Sequence, residues 1–301
     1  MSGDSPVAVI TGATGFIANQ LARRLASQGW LIRAIVRPSS DLSRFAGMEQ
    51  HLTAFCYDST PDSLLAAMAD PTPTVVFHAA SLFLATHDSP QVTPLIESNI
   101  LFGAHLLEAM SRCSATRIVN TGTQWQHYQD SPYNPVCLYA ATKQAFESIL
   151  TFYLQTAGFS AVTLRLFDVY GPGDTRPKLF NLLRRASQSS TPLAMSPGAQ
   201  LLDLVYVDDV VDAYVMAAQL IEAATPGVHA IYGVSSGSPI SLREVVDIYG
   251  EVIHTKIPIQ WGLRPYRDRE VMIPWRQSIP VPGWAPRVSL RDGIRRMEGC
   301  G

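Results

Sequence analysis

Val7-Ala8-Val9-Ile10-Thr11-Gly12-Ala13-Thr14-Gly15-Phe16-Ile17-Ala18 is the stretch on which the fold turns. A short run of β-branched and small apolar residues leads into a glycine-bearing turn. An amphipathic stretch follows, with Leu21, Leu25 and Trp30 at a helix-like spacing. Strand, tight turn and helix together make a cradle for a pyrophosphate. Gly12 lets the backbone turn and Gly15 lets it approach a phosphate. The helix N-terminus then offers unpaired N–H groups at the positive end of its dipole. The spacing is G-x-x-G-x-x-A, and the small Ala18 still permits close packing of helix on strand. The stretch predicts the first βα unit of a doubly wound parallel α/β sheet, the Rossmann arrangement.

The rest of the chain narrows the class. A length of 301 residues suits one large domain or two closely joined lobes. With 47% hydrophobic and 16% charged residues, a sizeable core can form. A formal net charge of -2 gives no basic footprint for nucleic acid. Cys56, Cys113, Cys137 and Cys300 are scattered without a C-x-x-C pair, which argues against a metal site and fits a reducing compartment. No apolar run is long enough to span a bilayer, and the apolar start at Val7 is needed as a strand rather than as a signal peptide. The expectation is a cytoplasmic enzyme with no membrane or nucleic-acid partner. Lysine is scarce: Lys143, Lys178 and Lys256 are the full set.

Leu31–Val36 reads as a second strand, ending at Arg37-Pro38-Ser39-Ser40. In a βαβ nucleotide site this is where the adenosine ribose lies. A carboxylate there favours NAD, and an arginine suits the 2′-phosphate of NADP. Arg37 is also open to the plainer reading of a solvated strand end; the missing carboxylate is the firmer half of the argument. Ser39 and Ser40 add hydroxyl donors. Leu52–Asp58 reads as a third strand, after which Asp58 and Ser59 either meet the adenine amino group or cap a helix starting near Pro61. A helix over Leu64–Met68 and a strand over Thr74–Phe77 follow. The small residues Ala79, Ala80 and Ser81 would let a cofactor lie against backbone, while His78 reads as packed inward. Leu95–Met110 has helical spacing and carries Asn99, which needs a hydrogen-bond partner if buried.

A strand from Arg117 ends at Thr121-Gly122-Thr123, and Tyr139-Ala140-Ala141-Thr142-Lys143 comes soon after. Residues i and i+4 share one helix face. An ammonium beside a phenol favours the phenolate, which brings the tyrosine toward a useful pKa for exchanging a proton with a carbonyl or alcohol oxygen. Thr123 can hydrogen-bond that same oxygen. Y-x-x-x-K alone is an ordinary helix-surface pattern; joined to the glycine turn and a strand-end Thr it becomes specific.

As a set these features resemble the extended short-chain dehydrogenase/reductases, the family of nucleotide-sugar epimerases, dehydratases and reductases. The matching residues are Thr11–Ile17, His78-Ala79-Ala80, Asn99, Thr123, Tyr139 with Lys143, Leu164–Pro172, Val205–Val210 and, near the end, Pro282–Pro286 with Ser289-Leu290. The resemblance implies a dinucleotide domain over 1–170, with 204–234 returning to it, and a smaller C-terminal α/β substrate lobe over 171–203 and 235–301, with substrate between the lobes. It implies a catalytic triad of Thr123, Tyr139 and Lys143. It assigns the cofactor to Gly12, Thr14, Gly15, Phe16, Ile17, Arg37, Ser39, Ser40, Asp58, Ser59, Ala79, Ala80, Ser81, Asn99, Tyr139, Lys143 and Phe167. Gln126 and Asp168 fall among the substrate contacts. The family usually has Asn at the position of Asp168 and an Arg at that of Leu202; Arg264 and Arg267 are candidates to replace that Arg on the diphosphate, unless they form a solvated loop. Homodimers are common in the family.

The reaction can be narrowed further. Dehydratases of the family carry an Asp-Glu pair after the triad Thr; here Gln124 and Trp125 stand there. Epimerases of the family usually hold NAD through an acidic residue after the second strand, where this chain has Arg37. The residues Thr121–Tyr128 and Pro265-Tyr266-Arg267 are similar to those of the reductases that make 3,6-dideoxyhexoses, the CDP-abequose and CDP-paratose synthase group. The resemblance therefore implies NADPH-dependent reduction of the C4 ketone of a nucleotide-diphosphate 4-keto-6-deoxy or 4-keto-3,6-dideoxy sugar. The alternatives are an NDP-sugar 4-epimerase with bound NAD and a non-catalytic NADP-sensing protein.

Overall fold

Val7–Thr11 is buried at every position, as a strand needs to be when both faces of a parallel sheet are covered. The computed structural model describes residues 5–300. In chain order the strands are β1 (Val7–Thr11), β2 (Leu31–Val36), β3 (Leu52–Cys56), β4 (Val75–His78), β5 (Arg117–Thr123), β6 (Ser160–Leu166), β7 (Asp168–Tyr170), β8 (Leu193–Met195), β9 (Leu201–Leu202), β10 (Leu204–Tyr206), β11 (His229–Val234), β12 (Ile240–Ser241) and β13 (Ile259–Trp261). The α-helices are α1 (Phe16–Ser27), α2 (Leu65–Met68), α3 (Val92–Ile96), α4 (Phe102–Arg112), α5 (Leu138–Thr156), α6 (Leu179–Ser187), α7 (Val207–Glu222), α8 (Leu242–Val252) and α9 (Leu290–Glu298).

The main sheet has seven strands among the described residues, in the order β3-β2-β1-β4-β5-β6-β11. The pairs β1–β2, β1–β4, β2–β3 and β4–β5 are parallel. This is the doubly wound order with one strand added at the β6 edge. The chain reverses direction across the sheet between β1 and β4, the usual place for a ligand in such folds. The expected Rossmann sheet is therefore present.

Two compact units divide the chain. The first contains the residues up to Thr123, Cys137–Arg165 and Val211–Tyr232. The second contains Gln124–Val136, Leu166–Val210 and the residues from Gly233 on.

In the first unit, α4 and α5 bury Leu106, Leu107, Met110, Phe146, Leu150 and Leu154 in one cluster with Val9, Val76 and Ile118 of the sheet. Gly103 makes this packing close: a Cβ there would come within 2.4 Å of the Phe146 ring. α1 buries Leu21 and Leu25, but it ends at Ser27, so Trp30 lies outside it, past the left-handed Gly29 (φ +83). The Arg24–Asp212 ion pair at 2.5 Å joins α1 to α7. The Leu64–Met68 helix is a 3-10 turn over Asp62–Leu64 leading into α2. The helix expected over Leu95–Met110 starts earlier and is not uniform: a π-helical turn over Glu97–Leu101 separates α3 from α4. Such turns are rare and frequent at functional sites.

The second unit is built from short strand pairs, β7–β10 and β8–β13 parallel and β9–β12 antiparallel, with α6, α8 and α9. Tyr170 packs between Phe180 (4.9 Å) and Tyr206 (5.6 Å). A forked contact from Arg184 to Glu298, at 2.9 and 2.7 Å, ties α6 to α9. Ser241 and Glu244 form a capping box at the start of α8, with both reciprocal bonds. No helix of the described residues is long and apolar enough to cross a membrane.

Candidate active site

The glycine turn follows from β1. Gly12 is left-handed (φ +70), and a Cβ on it would lie 2.8 Å from Ala80 Cα and 2.9 Å from Ala80 N. Only glycine satisfies both constraints. The Gly15 N–H donates to Gly12 O at 2.7 Å, closing the turn. Gly15 is also the N-cap of α1 and supplies no capping side chain, and the N-terminus of a helix is the positive end of its dipole.

The Thr11 hydroxyl braces the neighbouring floor. It accepts from Ala79 N and Ala80 N, both at 3.1 Å, and meets His78 Nδ1 at 3.0 Å. His78 is 1% exposed, and burial, reinforced by the Lys143 charge, pushes its pKa down to about 3. The imidazole is thus a neutral, packed group.

At the ribose end, exposed Arg37 begins a turn in which its N–H donates to Ser40 Oγ and Ser40 N–H donates to Arg37 O, both at 3.0 Å. Asp58 accepts from Thr60 N (2.9 Å) and Thr60 Oγ1 (2.6 Å), and these bonds hold its carboxyl below the usual range. It therefore holds the Ser59–Thr60 turn, one step ahead of the 3-10 turn at Asp62.

Asn99 sits on the π-helical turn, 1% exposed. Its Oδ1 accepts from Leu82 N (2.8 Å) and Ser81 Oγ (3.2 Å). Its Nδ2 donates to Leu82 O (3.0 Å) and Thr142 Oγ1 (2.9 Å). The partner that a buried Asn demands is thus supplied on every side. Thr142 in turn donates to Tyr139 O at 2.7 Å.

Tyr139 and Lys143 occupy successive turns of one face of α5 and are 8% and 2% exposed. Phe83 packs edge-on against the Tyr139 ring at 5.0 Å. Burial lowers the Lys143 pKa to about 8, with the Glu147 charge opposing the fall. Thr123 ends β5 and is 8% exposed. Phenol, ammonium and hydroxyl therefore belong to one compact unit together with the glycine turn.

The remaining residues expected at the site lie in the second unit. Gln126 is fully buried and Phe167 is buried. Asp168 N donates to Asp203 O at 3.0 Å, and burial raises the Asp168 carboxyl pKa against the opposing charge of Lys178. The Arg267 fork is engaged by Glu270 at 3.0 and 2.6 Å and lies over the Trp125 ring at 5.1 Å. Arg264 is exposed, and its N–H donates to Met195 O at 3.1 Å. Among the described residues, the Arg264 side chain forms no ion pair, whereas Arg267 is paired with Glu270.

Residues 8–232 match the profile of the NAD dependent epimerase/dehydratase family. The chain belongs to that family. Among its relatives, CDP-abequose synthase of Salmonella muenchen is 24% identical over 96% of each chain. UDP-glucose 4-epimerase of Mycolicibacterium smegmatis is 26% identical, again over 96% of each. Among solved structures, MoeE5 in complex with UDP-glucose and NAD superposes with a TM-score of 0.79 at 26% identity, covering 96% of each chain. The UDP-glucose 4-epimerase of Stenotrophomonas maltophila reaches a TM-score of 0.86 at 19% identity, a likeness of fold.

As a member of the epimerase/dehydratase family, the chain fits a dinucleotide on its own evidence: a Cβ at Gly12 would occupy the space against Ala80, and the N-cap of α1 is a bare glycine. Two supports of this site escaped the sequence reading. Thr11 belongs to the glycine-turn motif, but nothing in the motif shows that its hydroxyl braces Ala79 and Ala80. Arg44, in a 3-10 turn, donates from Nη1 to Thr14 O at 3.1 Å and so puts a guanidinium beside the glycine turn. Asn19 fixes it from below, with Nδ2 on Ala13 O (3.2 Å) and Arg44 O (3.0 Å). No local motif announces these contacts, because each joins residues that meet only in the folded unit.

Proposed function

We propose that the protein is an NADPH-dependent nucleotide-sugar 4-ketoreductase. Its substrate is then a nucleotide-diphosphate 4-keto-6-deoxy or 4-keto-3,6-dideoxy sugar. The observation that carries this reading is the buried Tyr139–Lys143 pair on α5, in a chain whose positions after Thr123 are Gln124 and Trp125. The pair suits proton transfer to a ketone oxygen. Gln124 and Trp125 offer no carboxylate to expel a hydroxyl. The names of the relatives, CDP-abequose synthase and UDP-glucose 4-epimerase, support the nucleotide-sugar class.

In this reading Tyr139 donates a proton to the oxygen at C4. Lys143, as the ammonium, stabilises the phenolate left behind and holds the ribose hydroxyls. Thr123 donates a hydrogen bond to the same substrate oxygen. Bound NADPH supplies the hydride. Gly12, Thr14, Gly15, Phe16, Ile17, Ala79, Ala80, Ser81 and Phe167 shape the cofactor's bed, and Asn99 fixes it from behind. Arg37, with Ser39 and Ser40, faces the adenosine end, and the lack of a carboxylate there favours a 2′-phosphate. Arg44 adds a cation beside the glycine turn. Gln126, Asp168, Arg264 and Arg267 are assigned to the substrate, with Arg264 on the diphosphate.

Mixing the purified protein with NADPH and a CDP- or dTDP-4-keto-6-deoxy sugar should consume the reduced nicotinamide. Tyr139→Phe should lower turnover ~10²–10⁴-fold and leave NADPH binding intact; unchanged turnover would overturn the assignment. The second reading, a 4-epimerase, is favoured by the epimerase relative and by the NAD in the MoeE5 complex. It requires tightly held NAD in the purified protein and interconversion of an intact nucleotide sugar. We also propose a homodimer, as is common in the family. Light scattering at working concentration reads the mass directly.

A further inference from the structure

Glu147 is a charged residue with no part in the chemistry just described, yet it is 3% exposed. It lies on α5 one helical turn beyond Lys143. Arg165 of β6 holds it through Nη2–Oε2 at 2.9 Å, with side-chain exposures of 8% and 4% for Arg165 and Glu147. A buried pair of this kind gains little over a well-packed apolar pair of the same size, because both ions lose their water. Its presence under the Tyr139–Lys143 face calls for another reason.

We propose that Glu147 is a positioning residue for the reaction: fixed by Arg165, its carboxylate is the counter-charge that keeps Lys143 in its ammonium form and aligned beneath Tyr139. The proposal rests on the ketoreductase reading of Tyr139 and Lys143.

Among the described residues, charged and titratable groups come close to this region from several elements, and Tyr214 on α7 lies near enough to Tyr139 to feel its charge. Tyr139 shares α5 with Lys143 and Glu147. His78 on β4 is neutral, with its pKa near 3, and the Lys143 charge helps to keep it so. His229 on β11 meets Thr163 Oγ1 through Nε2 at 2.8 Å, and burial lowers its pKa from the usual histidine value. Arg165 on β6 is the ion-pair partner of Glu147. Near neutral pH and above, both imidazoles are therefore uncharged. Burial drives Lys143 toward losing its proton, and Glu147 is the group whose charge works against that loss. A neutral amine at 143 could not stabilise a tyrosinate, so the carboxylate widens the pH range over which the tyrosine can act.

The test uses the lysine count. With Lys143, Lys178 and Lys256 as the full set, selective carbon-13 labelling of lysine gives a short list of ε-carbon signals, assignable by substitution, and Lys143 can be titrated directly. Glu147→Gln keeps an oxygen for Arg165 and removes the charge. It should move the Lys143 midpoint down by about one pH unit, ~tenfold in the protonated fraction on the alkaline side. The alkaline limb of kcat/KM for the ketone should move the same way, with near-parity to wild type at lower pH. Glu147→Asp, which retains the charge, should recover much of the wild-type midpoint. An unmoved Lys143 midpoint in folded Glu147→Gln would overturn the proposal. So would a uniform loss of kcat/KM at all pH values, the mark of a purely structural pair. If the wild-type protein reduces no ketone, the reductase reading falls, while the titration still decides whether Glu147 sets the charge on Lys143.

Discussion

Asn99 donates to the Thr142 hydroxyl at 2.9 Å, and that hydroxyl donates to the Tyr139 carbonyl at 2.7 Å. The π-helical turn is thereby fastened to the stretch of α5 between the phenol and the ammonium. The other side of the Asn99 amide grips both backbone groups of Leu82, just past the Ala79–Ser81 floor. One buried side chain therefore ties the Ala79–Ser81 segment to the stretch of α5 that carries Tyr139 and Lys143.

Asn99→Ala should accordingly weaken both fold and function. Removing the amide leaves the backbone groups of Leu82 without their partner, at a cost of about 1–3 kcal/mol for a buried unsatisfied polar group. Thermal or urea denaturation should show the loss. The activity deficit should exceed the loss of folded protein, because the Tyr139 turn is no longer tied down. Equal losses would mean that Asn99 serves stability alone.

Gly12→Ala meets two obstacles together: a left-handed backbone (φ +70) and the Ala80 backbone at 2.8 Å. Left-handed strain costs about 1–2 kcal/mol and overpacking about 1–3 kcal/mol. The variant should be less stable and should fail to quench its tryptophan fluorescence when NADPH is added. Wild-type affinity would show that the turn can widen without cost.

The buried His78 predicts acid sensitivity. Its folded-state pKa, near 3, lies below the ordinary value of 6.5 that it regains on unfolding. Between those values the unfolded chain holds the extra proton, so stability falls as pH drops from about 6.5 toward 3. Full stability from this group is present above the unfolded value. Lowering the pH from 7 to 5 should cost the wild-type protein about 2 kcal/mol through this group. His78→Gln keeps a polar partner for Thr11 and does not titrate, so its urea midpoint should fall less over that interval. Parallel pH dependences would assign the acid lability elsewhere.

Cofactor choice should follow Arg37. Arg37→Ser removes the cation at the end of β2 and leaves the Ser40 turn, which uses only backbone atoms of residue 37. The preference for NADPH over NADH should drop about tenfold, equivalent to about 1.4 kcal/mol. An unaltered ratio of the two dissociation constants would favour the epimerase reading.

Much of this site could be read in one dimension. The glycine turn, the small floor after His78 and the Tyr139–Lys143 spacing are local, and local geometry fixes what they can do: two residues four apart on a helix share a face in any fold. The Ser241–Glu244 box was legible for the same reason. Trp30 was misread because its spacing continued the helical pattern while Gly29 had already ended the helix. The π-helical turn left no sequence mark, since its widening is coupled to bonds that Asn99 makes with Leu82 and Thr142, far away in the chain. The Arg267 side chain, a free cation on paper, is gripped by Glu270 over Trp125.

By itself the sequence determined the order of strands and helices, the glycine turn and the phenol–ammonium spacing, because these depend on backbone preference and on periods of a few residues. The tertiary structure alone decided which polar groups are buried, what holds them and which charges are compensated. The Glu147–Arg165 pair, the bracing of Ala79 and Ala80 by Thr11, and the Arg44 contact at Thr14 each join segments distant in the chain. Burial and long-range hydrogen bonding are properties of packed neighbours, and neighbours exist only once the chain has folded.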